Sequence, residues 1–156
     1  MNLKELNVIL ADDDIDDCNF FKQALKELST SVTLTIVHDG DDLMKYLSEN
    51  SDHPPHIVFL DINMPRKNGT ECLIEIRKNK KLAALSVVMF STSNSWDTIN
   101  ELFKNGSNVY IHKPSDFSQL KQVIRHTLPI AAEKIFSNSP TKYILNASNS
   151  SSPKSK

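Results

Sequence analysis

Asp12-Asp13, Asp61, Ser91 and Lys113 each follow a short apolar run: Val8-Ile9-Leu10-Ala11, Ile57-Val58-Phe59-Leu60, Val87–Phe90 and Tyr110-Ile111-His112. Three carboxylates, a hydroxyl and an ammonium form a chemically coherent set if they meet. Acids gathered together repel one another unless a cation sits among them. Hard oxygen ligands suit magnesium, which keeps several waters and binds through one or two carboxylates plus phosphate oxygens. An ion held there would screen one carboxylate against an incoming phosphoryl group, so that the carboxylate can serve as nucleophile. The lysine and the serine could then hold the remaining phosphoryl oxygens. The set reads as an acyl-phosphate site.

To meet, these residues must be delivered by elements that end side by side. Short β-branched or aromatic runs at Val8–Leu10, Val32–Val37, Ile57–Leu60, Val87–Phe90 and Val109–Ile111 predict five buried strands. Between and after them, apolar residues recur at helical spacing, as in Phe20, Phe21, Ala24, Leu25 and Leu28, and in Leu120, Val123, Ile124 and Leu128. Five helices alternating with five strands that are apolar on both faces predict an α/β, doubly wound parallel sheet. In such a sheet the carboxyl ends of the strands line one edge, where ligands bind at the switch point in strand order.

The whole chain has 156 residues, with 18 Lys+Arg against 19 Asp+Glu, a net charge of -1 that gives no basic surface for a phosphate backbone. No nucleic-acid partner is expected. Cys18 and Cys72 are too few for a disulfide framework and lack zinc-site spacing, so both are read as reduced, packed thiols. Glycine occurs only at 40, 69 and 106, which excludes both G-x-G-x-x-G and a Walker loop. Charge enters at once in Met1-Asn2-Leu3-Lys4-Glu5, and the longest apolar runs have four residues, so no signal peptide or membrane span is expected and the location is cytoplasmic. The helical pattern weakens after Pro129, and from Ser137 to Lys156 twelve of twenty residues are Ser, Asn or Pro. Residues 1–130 are therefore expected to form the domain and 131–156 an extension, largely disordered from 137, in which Tyr143-Ile144-Leu145 is a short exposed apolar cluster.

The order Asp-Asp, Asp, Ser, Lys-Pro, with Asp61-Ile62-Asn63-Met64-Pro65 and Gly69 shortly after, resembles the receiver domain of two-component response regulators, including the chemotaxis regulator. The resemblance covers roughly residues 6–130 and implies a flavodoxin-like sheet of order 2-1-3-4-5. It makes Asp61 the phosphoacceptor, with Asp13 and Asp61 as direct magnesium ligands, Asp12 acting through a bound water, and Asn63 contributing its backbone carbonyl. Ser91 and Lys113 would hold the phosphoryl group, Tyr110 takes the aromatic switch position, and the Lys113–Pro114 bond would be cis, a form only X–Pro pairs adopt cheaply. Thr92 stands where the family usually has a smaller residue, which narrows access to Asp61.

The expected function is a stand-alone receiver that takes a phosphoryl group from a sensor histidine kinase or phosphotransfer protein. It then changes the face built from the fourth helix, fifth strand and fifth helix, as movement at Ser91 lets Tyr110 turn inward. That face would meet an unknown downstream protein or a second copy of the chain. No turnover of an outside substrate is expected. A haloacid-dehalogenase-type enzyme needs an acid two residues after its nucleophile, and here that residue is Asn63. The other alternative is a degenerate receiver acting as a phosphorylation-independent scaffold.

Other features read as local structure. Asp14, Asp16 and Asp17 fit a solvated helix start favoured by the helix dipole. Asp12-x-Asp14-x-Asp16 is no calcium loop, because Asp17 and Gln23 replace the required Gly and Glu. His53-Pro54-Pro55-His56 is a loop rather than a metal pair. Arg77-Lys78-Asn79-Lys80-Lys81 is a solvated helix end, and Arg66-Lys67 is either a solvated turn or a contact for an acidic partner.

Overall fold

A computed structural model describes residues 6–28, 31–137 and 143–145, of which 134–137 and 143–145 are given by their backbone. The order is β1 (Asn7–Ala11), α1 (Ile15–Glu27), β2 (Thr33–Val37), α2 (Gly40–Glu49), β3 (Ile57–Leu60), α3 (Gly69–Lys78), β4 (Ser86–Ser91), α4 (Trp96–Lys104), β5 (Val109–His112), α5 (Phe117–Ser137) and β6 (Tyr143–Leu145). The five strands predicted from the sequence pair in parallel in the order 2-1-3-4-5, and β6 adds to the outer edge of β5.

The helices begin where short polar side chains can accept from unpaired backbone N–H groups. Asp14, Asp39, Asn68 and Ser95 cap α1, α2, α3 and α4, and Asn68 forms a reciprocal capping box with Glu71. β3 and β4 are buried along their whole length because helices cover both faces of the sheet. One core lies under α1 and α5, where Phe21, Phe59 and Phe90 pack edge-on with centroids 4.9–6.3 Å apart. The other lies under α2, α3 and α4 and includes Leu43, Leu73, Met89 and Leu102.

Three features differ from expectation. α5 does not stop near Leu128 but runs through Pro129 to Ser137. Proline removes one helical hydrogen bond, and burial of Leu128, Ala131 and Ala132 on the same helix offsets that loss. Tyr143–Leu145 is not a free apolar cluster but a parallel strand, with Tyr110 opposite Ile144. An unpaired edge strand exposes a row of donors and acceptors, which pairing satisfies. The rest of the segment expected to be disordered, 138–142 and 146–156, lies outside the described residues. Arg77 is not a solvated cap: its guanidinium donates to the carbonyls of Gly106, Ala83 and Leu85 and to Asn108 Oδ1 at 2.7–3.0 Å. It staples α3 to the loops before β4 and β5.

Candidate functional site

β1 sits between β2 and β3, so the strand order reverses there and the first turns after β1 and β3 open into one crevice. Three of the site residues are held by a backbone hydrogen bond one position beyond their strands. Asp12 N–H donates to Val37 O at 3.1 Å, Asp61 N–H to Ala11 O at 3.0 Å, and Lys113 N–H to Ser91 O at 2.8 Å. The sheet thus fixes their backbones before any side chain interacts.

The side chains converge as the chemistry requires. Carboxylate oxygens of Asp12, Asp13 and Asp61 lie within 4.8 Å of one another. Asp12 is fully buried and Asp61 nearly so, whereas Asp13 is exposed. Lys113 Nζ reaches over from β5 to Asp12 Oδ2 at 2.7 Å, Asp17 Oδ2 at 3.0 Å and Asp61 Oδ2 at 3.6 Å. It also lies 5.4 Å from the centroid of the Phe90 ring.

The charges do not balance. Burial, followed by the charge of Asp12, pushes the Asp61 carboxyl up to about 6. Lys113 and the backbone N–H groups of Asn63 and Ile62 oppose that rise without cancelling it. Burial works to lower the Lys113 ammonium, but hydrogen bonding to Asp12 and the charges of Asp61 and Asp12 outweigh it and raise the pKa. Excess negative charge on closely spaced hard oxygens fits a divalent cation held by Asp12, Asp13 and Asp61.

Ser91 is buried at the end of β4, and its Oγ accepts from Ser93 N–H at 3.2 Å. Tyr110, one strand over, is already turned inward and almost fully buried, so inward rotation is not an event left to occur. Its hydroxyl donates to Ser93 O at 2.6 Å, and that bond offsets the cost of burying the phenol. The Lys113–Pro114 bond is trans, with no cis peptide among the described residues, in line with the ordinary preference of the amide. Asn63 follows Asp61 by two residues and donates its backbone N–H to it.

Gly69 is essential to this geometry. A Cβ there would lie 2.1 Å from Asp61 O and 2.9 Å from Ile62 Cα. Gly69→Ala is therefore expected to displace the backbone that carries the acceptor and to cost about 1–2 kcal/mol, seen as a lower urea midpoint. An unchanged midpoint would mean that the loop yields freely.

A response regulator receiver domain model matches residues 8–125 of the chain. The chain belongs to the response regulator receiver family. Response regulator Rcp1 of Synechocystis sp. is 27% identical to this receiver over 122 residues, covering 76% of the chain and 83% of Rcp1. The phosphorylated cyanobacterial phytochrome response regulator RcpA superposes with a TM-score of 0.74 at 29% identity, covering 86% of this receiver and 96% of RcpA. The Mn(2+)-bound form of Rcp1 gives 0.68 at 27% identity, covering 84% and 93%. No helix among the described residues of the receiver is long and apolar enough to cross a membrane.

Sequence reasoning missed one member of the site. Asp17, read as part of a solvated helix start, pairs with Lys113. No local signal singled it out, because Asp13 lies before the start of α1 and the partner that selects Asp17 arrives from the end of β5. Asp14 does fit that reading, as the N-cap of α1. The basic turn is internally paired, Arg66 with Asp39 at 3.3 Å and Lys67 with Glu75, which weighs against a contact for an acidic partner. His56 stays in the loop, with Nδ1 accepting from Asn7 N–H at 3.0 Å.

Proposed function

We propose that this receiver accepts a phosphoryl group on Asp61 from the phosphohistidine of a histidine kinase or phosphotransfer protein, in a magnesium-dependent reaction, and thereby alters a protein-binding face. The observation that carries this reading is the meeting of Lys113 Nζ with Asp12 and Asp61, at 2.7 and 3.6 Å, beside three clustered carboxylates. Magnesium bound to Asp12, Asp13, Asp61 and the Asn63 carbonyl, with Asp12 acting through water, would supply charge screening between Asp61 and the phosphoryl group.

In the transfer, an Asp61 carboxylate oxygen attacks phosphorus. The P–O bond forms as the P–N bond breaks, and its electron pair returns to the imidazole nitrogen of the donor. Lys113 moves its ammonium onto a phosphoryl oxygen and Ser91 donates its hydroxyl to another. Loss of the group is the reverse in kind, with water attacking phosphorus and Asp61 leaving as carboxylate. The chain acts on its own aspartate and turns over no outside substrate. Because Ser91 Oγ and Tyr110 are both bonded to Ser93, drawing Ser91 inward tugs the segment before α4 and the β5 ring together. The output is then a change in the α4–β5–α5 face, which a downstream protein or a second copy would read with β6 lying along its β5 edge.

The test is to add magnesium and beryllium fluoride, a phosphoryl mimic, to wild type and Asp61→Asn while following Trp96 fluorescence and oligomer size. Trp96 opens α4 and is exposed, so it reports on that segment. A magnesium-dependent response confined to wild type is expected. Equal responses would refute the role of Asp61, and silence in both would favour a phosphorylation-independent scaffold.

A further inference from the structure

Lys113 is committed to α1 as well as to the acceptor. Its ammonium has three donors, and its two hydrogen bonds go to Asp12 at 2.7 Å and Asp17 at 3.0 Å, while Asp61 stands off at 3.6 Å. Asp17 is well placed for this grip. Its own N–H donates to the Asp14 cap at 3.0 Å, and Asp14 N–H donates to Asp12 Oδ1 at 3.0 Å, so the start of α1 is tied to the end of β1. Asp17 and Lys113 line one cavity, with Phe20 and Phe117 on its apolar side. Asp17 is not among the carboxylates clustered for a metal.

We propose that Asp17 is a positioning residue that holds the Lys113 ammonium in the unphosphorylated arrangement and so opposes engagement of a phosphoryl group on Asp61. This rests on the function proposed above. A phosphoryl group on Asp61 brings strong acceptor oxygens and about 1.5–2 negative charges. For Lys113 to serve them it must give up the Asp17 contact. Asp17 is then left as an unpartnered carboxylate beside an anion, a like-charge contact. An interaction made in one state and lost in the other shifts the equilibrium toward the first by its full differential strength. Asp17 therefore sets how readily the receiver switches without touching the reacting atoms.

The experiment is a beryllium fluoride titration at saturating magnesium, read by Trp96 fluorescence, on wild type, Asp17→Asn, Asp17→Ala and Asp17→Glu, with a urea melt of each. Asp17→Asn and Asp17→Ala are expected to bind the mimic about five- to tenfold more tightly. The gain should appear in both whatever their stability, and Asp17→Glu, which keeps the charge, should stay within about twofold of wild type. A purely structural role for Asp17 predicts unchanged or weaker binding in both neutral variants, and that result overturns the proposal while the wild-type response still stands. Tightening in Asp17→Glu equal to that in Asp17→Asn would overturn it as well. Failure of the underlying switch shows itself differently, as no response in wild type.

Discussion

Lys113→Met is expected to destabilise the metal-free protein at pH 7 by about 3–5 kcal/mol, because removing one partner of a buried ion pair strands the others. Asp12 is fully buried and its Oδ2 bonds to the ammonium at 2.7 Å, so after substitution its charge has no cation within reach among the contacts described. Asp61, 3.6 Å away, loses the group that holds its carboxyl down. Urea unfolding at pH 7 and pH 5 separates charge from packing. At pH 5 the Asp61 carboxyl is largely protonated with or without Lys113, and the cost should fall by about 1 kcal/mol or more. Adding Asp61→Asn to Lys113→Met should recover part of the loss, giving a sum that is not additive, as expected for groups in direct contact. An equal cost at both pH values would place the effect in lost packing against Phe90 instead.

The second large effect is a pH dependence of stability centred on Asp61. Its carboxyl titrates at about 6 in the fold, against 3.8 ordinarily, because burial and then the neighbouring Asp12 disfavour the charged form. The folded protein therefore holds a proton over a range in which the unfolded chain has lost it. The stabilisation is fully present below the ordinary value, declines as pH rises through about 6, and is absent at pH 7. A shift of this size corresponds to about 2–3 kcal/mol. Metal-free wild type should thus lose that amount between pH 4 and pH 7 relative to Asp61→Asn, which has no proton to give up. Magnesium should restore stability at pH 7 to wild type and do little for the variant. Parallel pH profiles for the two proteins would show that the acidic cluster is not under electrostatic strain.

These effects come from a site whose composition is legible in the linear chain and whose balance is not. The apolar runs ending at Ala11, Leu60, Phe90 and His112 are short, β-branched and uninterrupted, and a strand buried on both faces has to look like that. Because parallel strands in such a sheet all end on one edge, the polar residues directly after them had to meet. Asp12, Asp13, Asp61 and Lys113 did so. Of the helix starts, that of α1 was readable in its acidic stretch, where Asp14 proves to be the cap.

What depended on contacts between distant segments was decided by the tertiary structure. Asp17 and its neighbours Asp14 and Asp16 are the same kind of residue in one acidic stretch, and only the arrival of Lys113 from 96 positions away distinguishes Asp17 from the others. Arg77 looks like any cation at a helix end until four acceptors from two loops close around it. Pro129 is a local breaker overruled by burial of the turns on either side. Tyr143–Leu145 became a strand because β5 offered an open edge. Periodicity and punctuation act over a few residues and are written in the sequence itself, whereas partner choice, burial and the inward position of Tyr110 depend on which surfaces the packed sheet brings together.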